Sequence, residues 1–408
     1  MKDKYAWVMD SLSKAPLLTK ARAVKHFLMN RNEYLPKKKV NADMDAVIKC
    51  ALCPNMCKFD CPVLAVEKND AVSPSGKMRL AYFIETGRIN SVDAFEDMYK
   101  CTGCNACEQW CPFDFSVGDL LRGVREDISD MDMTPPNIIE IKENLERNHV
   151  MYEKKYSGNG NKYGVVNGDV LYFMGCEVSS NRNEIADSMV KIFDAAGEKY
   201  VLLEDEWCCG YPLFNLGFTE EFKKFAEHNV GAMEKSGCNV VVCSCPTCTH
   251  IFRDVYPRLG FEIKARVLHS SEYLLGLVEN GKVDFTSIGK EAVYHDPCVL
   301  VRKLGLEKEP RELVKRAGMV LKEAEFGGKD TKCCGMGGGM ASTNPIISSK
   351  MADARLKSLE EQLSLIVTAC PTCKTAFASR GAEVLDISEV ISMGMKKEKN
   401  EGHGAEKS

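Results

Sequence analysis

Val240-Val241-Val242-Cys243-Ser244-Cys245-Pro246-Thr247-Cys248 is a short apolar run that ends in a Cys-Pro-Thr-Cys turn. Leu365-Ile366-Val367-Thr368-Ala369-Cys370-Pro371-Thr372-Cys373 repeats it 125 residues later. Upstream of each copy stands a Cys-Cys-Gly, Cys208-Cys209-Gly210 and then Cys333-Cys334-Gly335, again 125 residues apart. A single cysteine precedes each, Cys176 and Cys298, at an offset of 122. A period of that size marks a duplicated domain rather than a solenoid repeat.

The flanking text reads alike in both copies. Asp169 to Phe173 and Glu291 to Tyr294 are short apolar strands that stop just before a cysteine. Glu184 to Ala196 and Pro310 to Ala317 carry helical periodicity. Val240 to Val242 and Leu365 to Thr368 read as buried strands, and Arg266 to Leu268 and Glu383 to Leu385 as one more strand each. Strand, turn, helix and strand predict a small α/β unit with a mainly parallel sheet. Every cysteine of the repeat then falls at a strand end or in the loop after it, where open α/β sheets place ligand sites.

The N-terminal third holds eight more cysteines in two runs. Cys50, Cys53, Cys57 and Cys61 precede Pro62, and Cys101, Cys104, Cys107 and Cys111 precede Pro112. The second run matches the bacterial ferredoxin spacing, in which three close thiolates hold one [4Fe-4S] cluster and the fourth crosses to another. That pattern predicts one cubane on Cys50, Cys53, Cys57 and Cys111, and a second on Cys101, Cys104, Cys107 and Cys61. Pro54, Asn55 and Met56 make the first run one residue longer than usual without removing a ligand. Zinc is the rival, since Cys-x-x-Cys pairs also hold zinc.

Composition sets outer limits. The 408 residues suffice for two or three domains. A formal net charge of −4 argues against a general nucleic-acid binder. No apolar run is long enough to span a bilayer, and Met1 to Leu18 has no signal-peptide core. The expected location is therefore the cytoplasm, at most peripheral on the inner face of the membrane. Twenty cysteines in a reducing compartment read as metal ligands or redox groups rather than disulfides.

Five cysteines per repeat is one more than a cubane needs. Adjacent cysteines can hardly take two corners of one cube, but they can ligate or bridge irons in a more open cluster. Gly210, Gly335 and the run Gly337-Gly338-Gly339 remove Cβ atoms where backbone and cluster would approach. No Gly-Lys-Ser/Thr follows that run, so it is not a phosphate loop.

Both repeats resemble the cysteine-rich CCG domain, Cys…Cys-Cys-Gly…Cys-Pro-x-Cys. With the ferredoxin-like part, residues 45–395 resemble the D-type subunit of heterodisulfide reductase, and also iron–sulfur subunits of glycolate, lactate and anaerobic glycerol-3-phosphate dehydrogenases. The resemblance implies a multidomain α+β and α/β chain, a helical two-cluster ferredoxin-like domain followed by two small α/β modules. It implies a noncubane [4Fe-4S] cluster on Cys176, Cys208, Cys209, Cys245 and Cys248, and another on Cys298, Cys333, Cys334, Cys370 and Cys373, with a disulfide reduced between them by one electron from each. The first expectation is thus an iron–sulfur subunit that reduces a small disulfide, the coenzyme M–coenzyme B heterodisulfide. The alternative is an electron-transfer subunit of a flavin-dependent dehydrogenase. No Gly-x-Gly-x-x-Gly follows a strand and no flavin site is evident, so a partner, a membrane cytochrome b or a flavoprotein, must exchange the electrons.

The expected boundaries are a basic, partly helical extension at 1–45, the ferredoxin-like domain at 46–135, a connector at 136–168, modules at 169–285 and 286–395, and a disordered tail at 396–408. Gly158 to Gly168 reads as the linker, and Thr134-Pro135-Pro136 as a helix break. Lys37-Lys38-Lys39 is the densest part of a basic arm suited to an acidic partner or a membrane surface. Cys238 and Cys243 fit neither set and read as buried small hydrophobes, with Cys243 the spare ligand if one exists. His295 and His269 read as structural histidines, His295 with a second reading as a proton donor to a leaving thiolate. Trp207 reads as packing, and Glu206 as a solvated charge.

Overall fold

In a computed structural model, residues 10, 13–30, 34–152 and 168–396 are described. Parts of the basic extension, almost all of the 158–168 linker and the tail beyond Lys396 lie outside them. The chain forms two compact units. The first comprises Met1–Glu143, Pro212–Phe222 and Gly337–Met351, and the second Asn144–Tyr211, Lys223–Met336 and Ala352–Ser408.

The first unit is helical, and its helices start where the sequence supplies caps. Asp43, Ser73, Ser91 and Ser116 each accept a backbone amide of the first turn, opening the helices Met44–Leu52, Pro74–Glu85, Val92–Tyr99 and Val117–Asp130. Such caps satisfy amides that have no intrahelical partner, and Pro74 at the first helical position has no amide to satisfy. Leu121, Val124 and Ile128 line the buried side of Val117–Asp130 at spacings of three and four, and all are fully buried. Each such side chain contributes about 1.5–3 kcal/mol by leaving water. Asp127, on the same helix, accepts the amides of Asn41 and Ala42 and so fixes where the chain enters the domain.

The two returning segments both follow a Cys-Cys-Gly in the chain. Within the unit they meet, since Asn215 Nδ2 donates to the Gly338 carbonyl at 2.9 Å. Buried Arg125 donates to the carbonyls of Met98 and Asn215. A Cβ on Gly337 would stand 2.8 Å from the Thr102 carbonyl oxygen, and one on Gly338 2.9 Å from that of Cys101. The glycine run therefore admits a close approach of two backbones, which differs from the expected approach of backbone to cluster.

The second unit holds the duplication. β1 (Val170–Phe173), β2 (Tyr200–Val201), β3 (Val240–Cys243) and β4 (Arg266–His269) form a parallel sheet in the order β2-β1-β3-β4. β5 (Glu291–His295), β6 (Val320–Glu323), β7 (Leu365–Thr368) and β8 (Glu383–Asp386) repeat it as β6-β5-β7-β8. The edge strands β2 and β6 escaped the sequence reading. One has two residues, and the other reads Val-Leu-Lys-Glu with mostly exposed side chains.

Helix Asn183–Ala195 of the first copy packs on Ile387–Gly394, the last helix of the second. Ser270–Glu279, the last helix of the first copy, packs reciprocally on Lys308–Arg316 of the second. Each copy offers the same two elements to the other, as in a two-fold contact between identical subunits. One apolar core runs through both copies, including Met189, Phe193, Leu274, Leu313, Val314 and Ile391.

Candidate metal centres

All twenty cysteines are free thiols. In the first unit, Cys50, Cys53, Cys57 and Cys111 line one cavity of about 360 Å³, which Cys107 also borders. Cys61, Cys101, Cys104 and Cys107 line a second, of about 20 Å³, with Lys77 beside them. Burial, and then the charges of Cys57, Cys111 and Cys53, push the Cys50 thiol up to about 12. Burial and the charges of Cys111, Cys53 and Cys61 push Cys57 up to about 11. Thiolates gathered at one place repel one another unless cationic charge is brought in, which iron supplies on coordination. The donor sets fit cubane clusters in number and kind.

Asn55 takes a left-handed conformation at φ 65°, which asparagine tolerates better than most residues. Its amide is held by the Ser73 hydroxyl at 3.1 Å. Asn105 in the second run does the same at φ 58°. The Phe115 amide donates to Cys111 Sγ at 3.3 Å.

The second unit gathers the repeat cysteines at the sheet ends. Each Cys-Pro-Thr-Cys puts its first cysteine at a helix N-cap, its proline at the first helical position and its last cysteine in the first turn. In the first copy Cys208 Sγ stands 3.9 Å from Cys176 Sγ. The neighbouring Cys208 and Cys248 bring the Cys209 thiol down to about 6. Cys248, and Cys370 of the other copy, bring Cys245 down. In the second copy Cys333 and Cys373 bring Cys334 down, and Cys334 and Cys370 push Cys373 up. Cys298 opens the helix Cys298–Arg302, half-buried. Gly175, Gly210 and Gly335 have φ of 77°, 80° and 90°, a region that favours glycine. Among the described residues no three His, Cys, Asp or Glu side chains converge as a single metal ion requires.

Several residues that spacing could not single out hold this site. Asn229 Nδ2 donates to the Cys208 carbonyl at 3.0 Å, and Tyr256 OH to that of Cys209 at 3.1 Å. Glu177, next to Cys176, accepts hydrogen bonds from Thr375, Asn181 and Tyr152. Arg355, 2% exposed, donates to His295 Nδ1. Their only sequence signal is a polar residue on an otherwise apolar helix face or beside a cysteine.

The residues read as bland sort out as follows. His295 is fully buried, and burial together with Arg355 holds it well below the usual imidazole range. It stays neutral near pH 7, which removes the imidazolium that would donate to a thiolate. His269 caps helix Ser270–Glu279 through Ser271, and burial lowers it to about 4. Trp207 is stacked between His149 and His228. Glu206 differs from the expected solvated charge. Its carboxylate accepts the amides of Met174 and Gly175 at 2.9 and 2.7 Å, and burial pushes it up to about 7. Cys238 donates to the Gly168 carbonyl, and Cys243 is fully buried at the end of β3. Among the described residues no helix is long and apolar enough to cross a membrane.

Residues 46–115 match the 4Fe-4S dicluster domain family, and residues 170–253 and 292–378 each match the cysteine-rich domain family, CCG. The chain is 29% identical over 310 residues to the D-type subunit of the dihydromethanophenazine:CoB–CoM heterodisulfide reductase of Methanosarcina mazei, covering 72% of this chain and 76% of that one. It is 25% identical to the B-type subunit of the fumarate reductase (CoM/CoB) of Methanothermobacter marburgensis, covering 83% and 70%. Among solved structures, a hypothetical protein from Helicobacter pylori shares the fold with a TM-score of 0.55 at 10% identity, covering 98% of this chain and 78% of that one.

Proposed function

We propose that this chain, an iron–sulfur protein like the D-type subunit of heterodisulfide reductase and built from a 4Fe-4S dicluster domain and two CCG domains, is an oxidoreductase subunit that carries electrons from a partner to a disulfide. The reaction is RS–SR′ + 2e⁻ + 2H⁺ → RSH + R′SH. The S–S bond breaks, both sulfurs are reduced, and solvent provides the protons. The substrate we favour is the coenzyme M–coenzyme B heterodisulfide, the one in the name of the Methanosarcina relative.

One observation carries the reading. Cys245 and Cys370, the same position in the two copies, stand close enough that each acts on the other's ionisation. Two one-electron sites that abut suit a bond that needs two electrons. When bound, iron–sulfur clusters would supply those electrons singly, two cubanes in the dicluster domain and two further, noncubane clusters in the CCG domains. The residues assigned are Cys50, Cys53, Cys57 and Cys111 for the first cubane, and Cys61, Cys101, Cys104 and Cys107 for the second. Cys176, Cys208, Cys209, Cys245 and Cys248 form the first substrate-side site, and Cys298, Cys333, Cys334, Cys370 and Cys373 the other. Around them the chain's own residues position the thiols. Asn229 and Tyr256 fasten the Cys208-Cys209 backbone, and Arg302 fastens the loop before Cys333 through the Lys329 and Thr331 carbonyls. The partner is an electron donor, a membrane cytochrome b or a flavoprotein, with this chain on the cytoplasmic side.

The test is viologen-linked reduction of the coenzyme M–coenzyme B disulfide by anaerobically purified, iron-loaded protein. Turnover that disappears in Cys334→Ser supports the reading. No turnover with clusters intact favours a second reading, an electron-transfer subunit of a flavin-dependent dehydrogenase.

A further inference from the structure

The two CCG sites have the same cysteines but not the same charges around them. On the buried side of helix Thr219–Ser236 the first copy has Ala226, Asn229 and Met233. At the same spacings of three and four, helix Pro345–Glu360 of the second copy has Ala352, Arg355 and Leu359. Neutral Asn229 holds the Cys208 carbonyl. Its counterpart is a guanidinium.

Arg355 is almost wholly buried. Its Nη2 donates to the Phe326 carbonyl at 2.8 Å and its Nε to His295 Nδ1 at 3.3 Å, while Nη1 has no partner. No carboxylate forms an ion pair with it among the described residues. Asp296, whose charge reaches it, is already clamped by Arg311 at 2.7 Å. The other negative charges that reach it are Cys373, a ligand candidate, and Glu325. Lys374, the residue after Cys373, is also a buried cation, but Glu184 and Glu389 neutralise it at 2.9 and 2.5 Å. A buried charge without a partner is costly unless the folded protein brings the opposite charge to it. A cluster of thiolates beside Cys373 does that.

The first site has no cation at that helix position. The residue after Cys176 is Glu177, and the residue after Cys298 is Val299. Glu177 is 5% exposed, and its two oxygens accept from Thr375 at 2.6 Å, Asn181 at 3.2 Å and Tyr152. Three donors converge on those two oxygens, while burial raises its pKa above the ordinary carboxylate value. Arg182 reaches the Thr375 hydroxyl at 2.8 Å rather than the carboxylate.

We propose that Arg355 orders the two sites electrically, raising the reduction potential of the cluster held by the second CCG site above that of the first, where neutral Asn229 occupies the same helix position. The inference rests on the function proposed above. Reduction adds one negative charge to a cluster. A buried cation stabilises that charge and a buried anion opposes it, strongly so in a low-dielectric interior. The second site then takes an electron first, and the first site delivers the more reducing one.

The test uses the full chain, iron-loaded without air. Iron is counted, and the clusters are then titrated potentiometrically with electron paramagnetic resonance as readout. The signal lost in Cys373→Ser identifies the second site. Arg355→Gln should move that midpoint to lower potential and leave the other CCG midpoint in place. Arg355→Lys should return most of the shift. If Arg355→Gln loses iron, Arg355→Met, neutral and of similar length, decides by the same shift. About sixteen irons per chain with unmoved midpoints, or with both midpoints moved equally, overturns this inference alone. About eight irons overturns the proposed function and this inference with it.

Discussion

Cys245 and Cys370 occupy the same position in the two copies of a duplicated domain and stand close enough that each acts on the other's ionisation. Cys245 lies at the end of the sheet β2-β1-β3-β4 and Cys370 at the end of β6-β5-β7-β8. The reciprocal packing of Asn183–Ala195 on Ile387–Gly394 and of Ser270–Glu279 on Lys308–Arg316 holds them there. Two separately folded modules on a linker would not bring these thiols together. A shared core does, so the duplication makes one bipartite site rather than two copies of a site.

A substitution on one side should therefore be felt on the other. Cys245→Ser is expected to alter the paramagnetic signal of the second CCG site as well as that of the first, while Cys53→Ser leaves both unchanged. Spectra of the two iron-loaded variants under matched reduction check this. A Cys245→Ser spectrum changed only in the first-site signal would mean that the proximity of the two thiols does not couple the sites.

Gly338 is held at φ 65°, and a Cβ on it would stand 2.9 Å from the Cys101 carbonyl oxygen. Gly338→Ala should lower the unfolding free energy by about 1–3 kcal/mol, from left-handed strain and backbone displacement. The backbone it displaces belongs to a cubane ligand, so iron should be lost from the Cys101 set. Denaturant unfolding with iron analysis checks this, and Gly87→Ala, whose Cβ meets nothing within 4 Å at φ 69°, isolates the strain.

How far the site could be read in advance follows from the kind of information each part needs. The cysteine sets were legible because a ligand run is local, and its spacing survives as text. Six of the eight strands were legible because apolar β-branched residues cluster in them, as in Val240–Cys243 and Leu365–Thr368. Tyr200–Val201 is too short to leave a pattern, and Val320–Glu323 is too polar. Arg355, Glu177 and Asn229 were silent because their roles depend on which residues tertiary packing brings opposite them. An arginine in Ala352-Asp353-Ala354-Arg355 reads as a solvent-facing helix residue until Phe326 and His295 are seen around it.

Asn229 is fully buried and shared between the Cys208 carbonyl and the Tyr256 hydroxyl. Asn229→Ala takes this donor from the buried Cys208 carbonyl, at about 1–3 kcal/mol for an unsatisfied group. The Cys-Cys-Gly loop of the first copy should loosen while that of the second, which has no such asparagine, stays in place. The expected result is partial loss of iron confined to the first CCG site, read by iron analysis and by the surviving second-site signal. Equal loss from both sites would show that the asparagine supports the shared core instead.

Glu85 and Asp127 form a buried carboxyl pair in the helical unit. Burial, and then the charge of Asp127, pushes Glu85 up to about 8, and burial raises Asp127 as well. Glu85 keeps its proton in the folded state and donates it to Asp127, whose oxygens already accept the Asn41 and Ala42 amides. In the unfolded chain Glu85 ionises near its ordinary value of about 4.3. Between that value and pH 8 the folded state thus binds more protons than the unfolded one, and stability falls as pH rises. This contribution is whole below the unfolded value and lost as pH passes about 8. The slope is at most about 1.4 kcal/mol per pH unit for one proton. Glu85→Gln keeps a neutral donor and removes the titration. Denaturant unfolding should find the variant close to the native chain at pH 5 and more stable than it at pH 8, the gap widening across that window. Parallel profiles for the two proteins would mean that Glu85 is ionised in the folded state, with the charge of the pair compensated elsewhere.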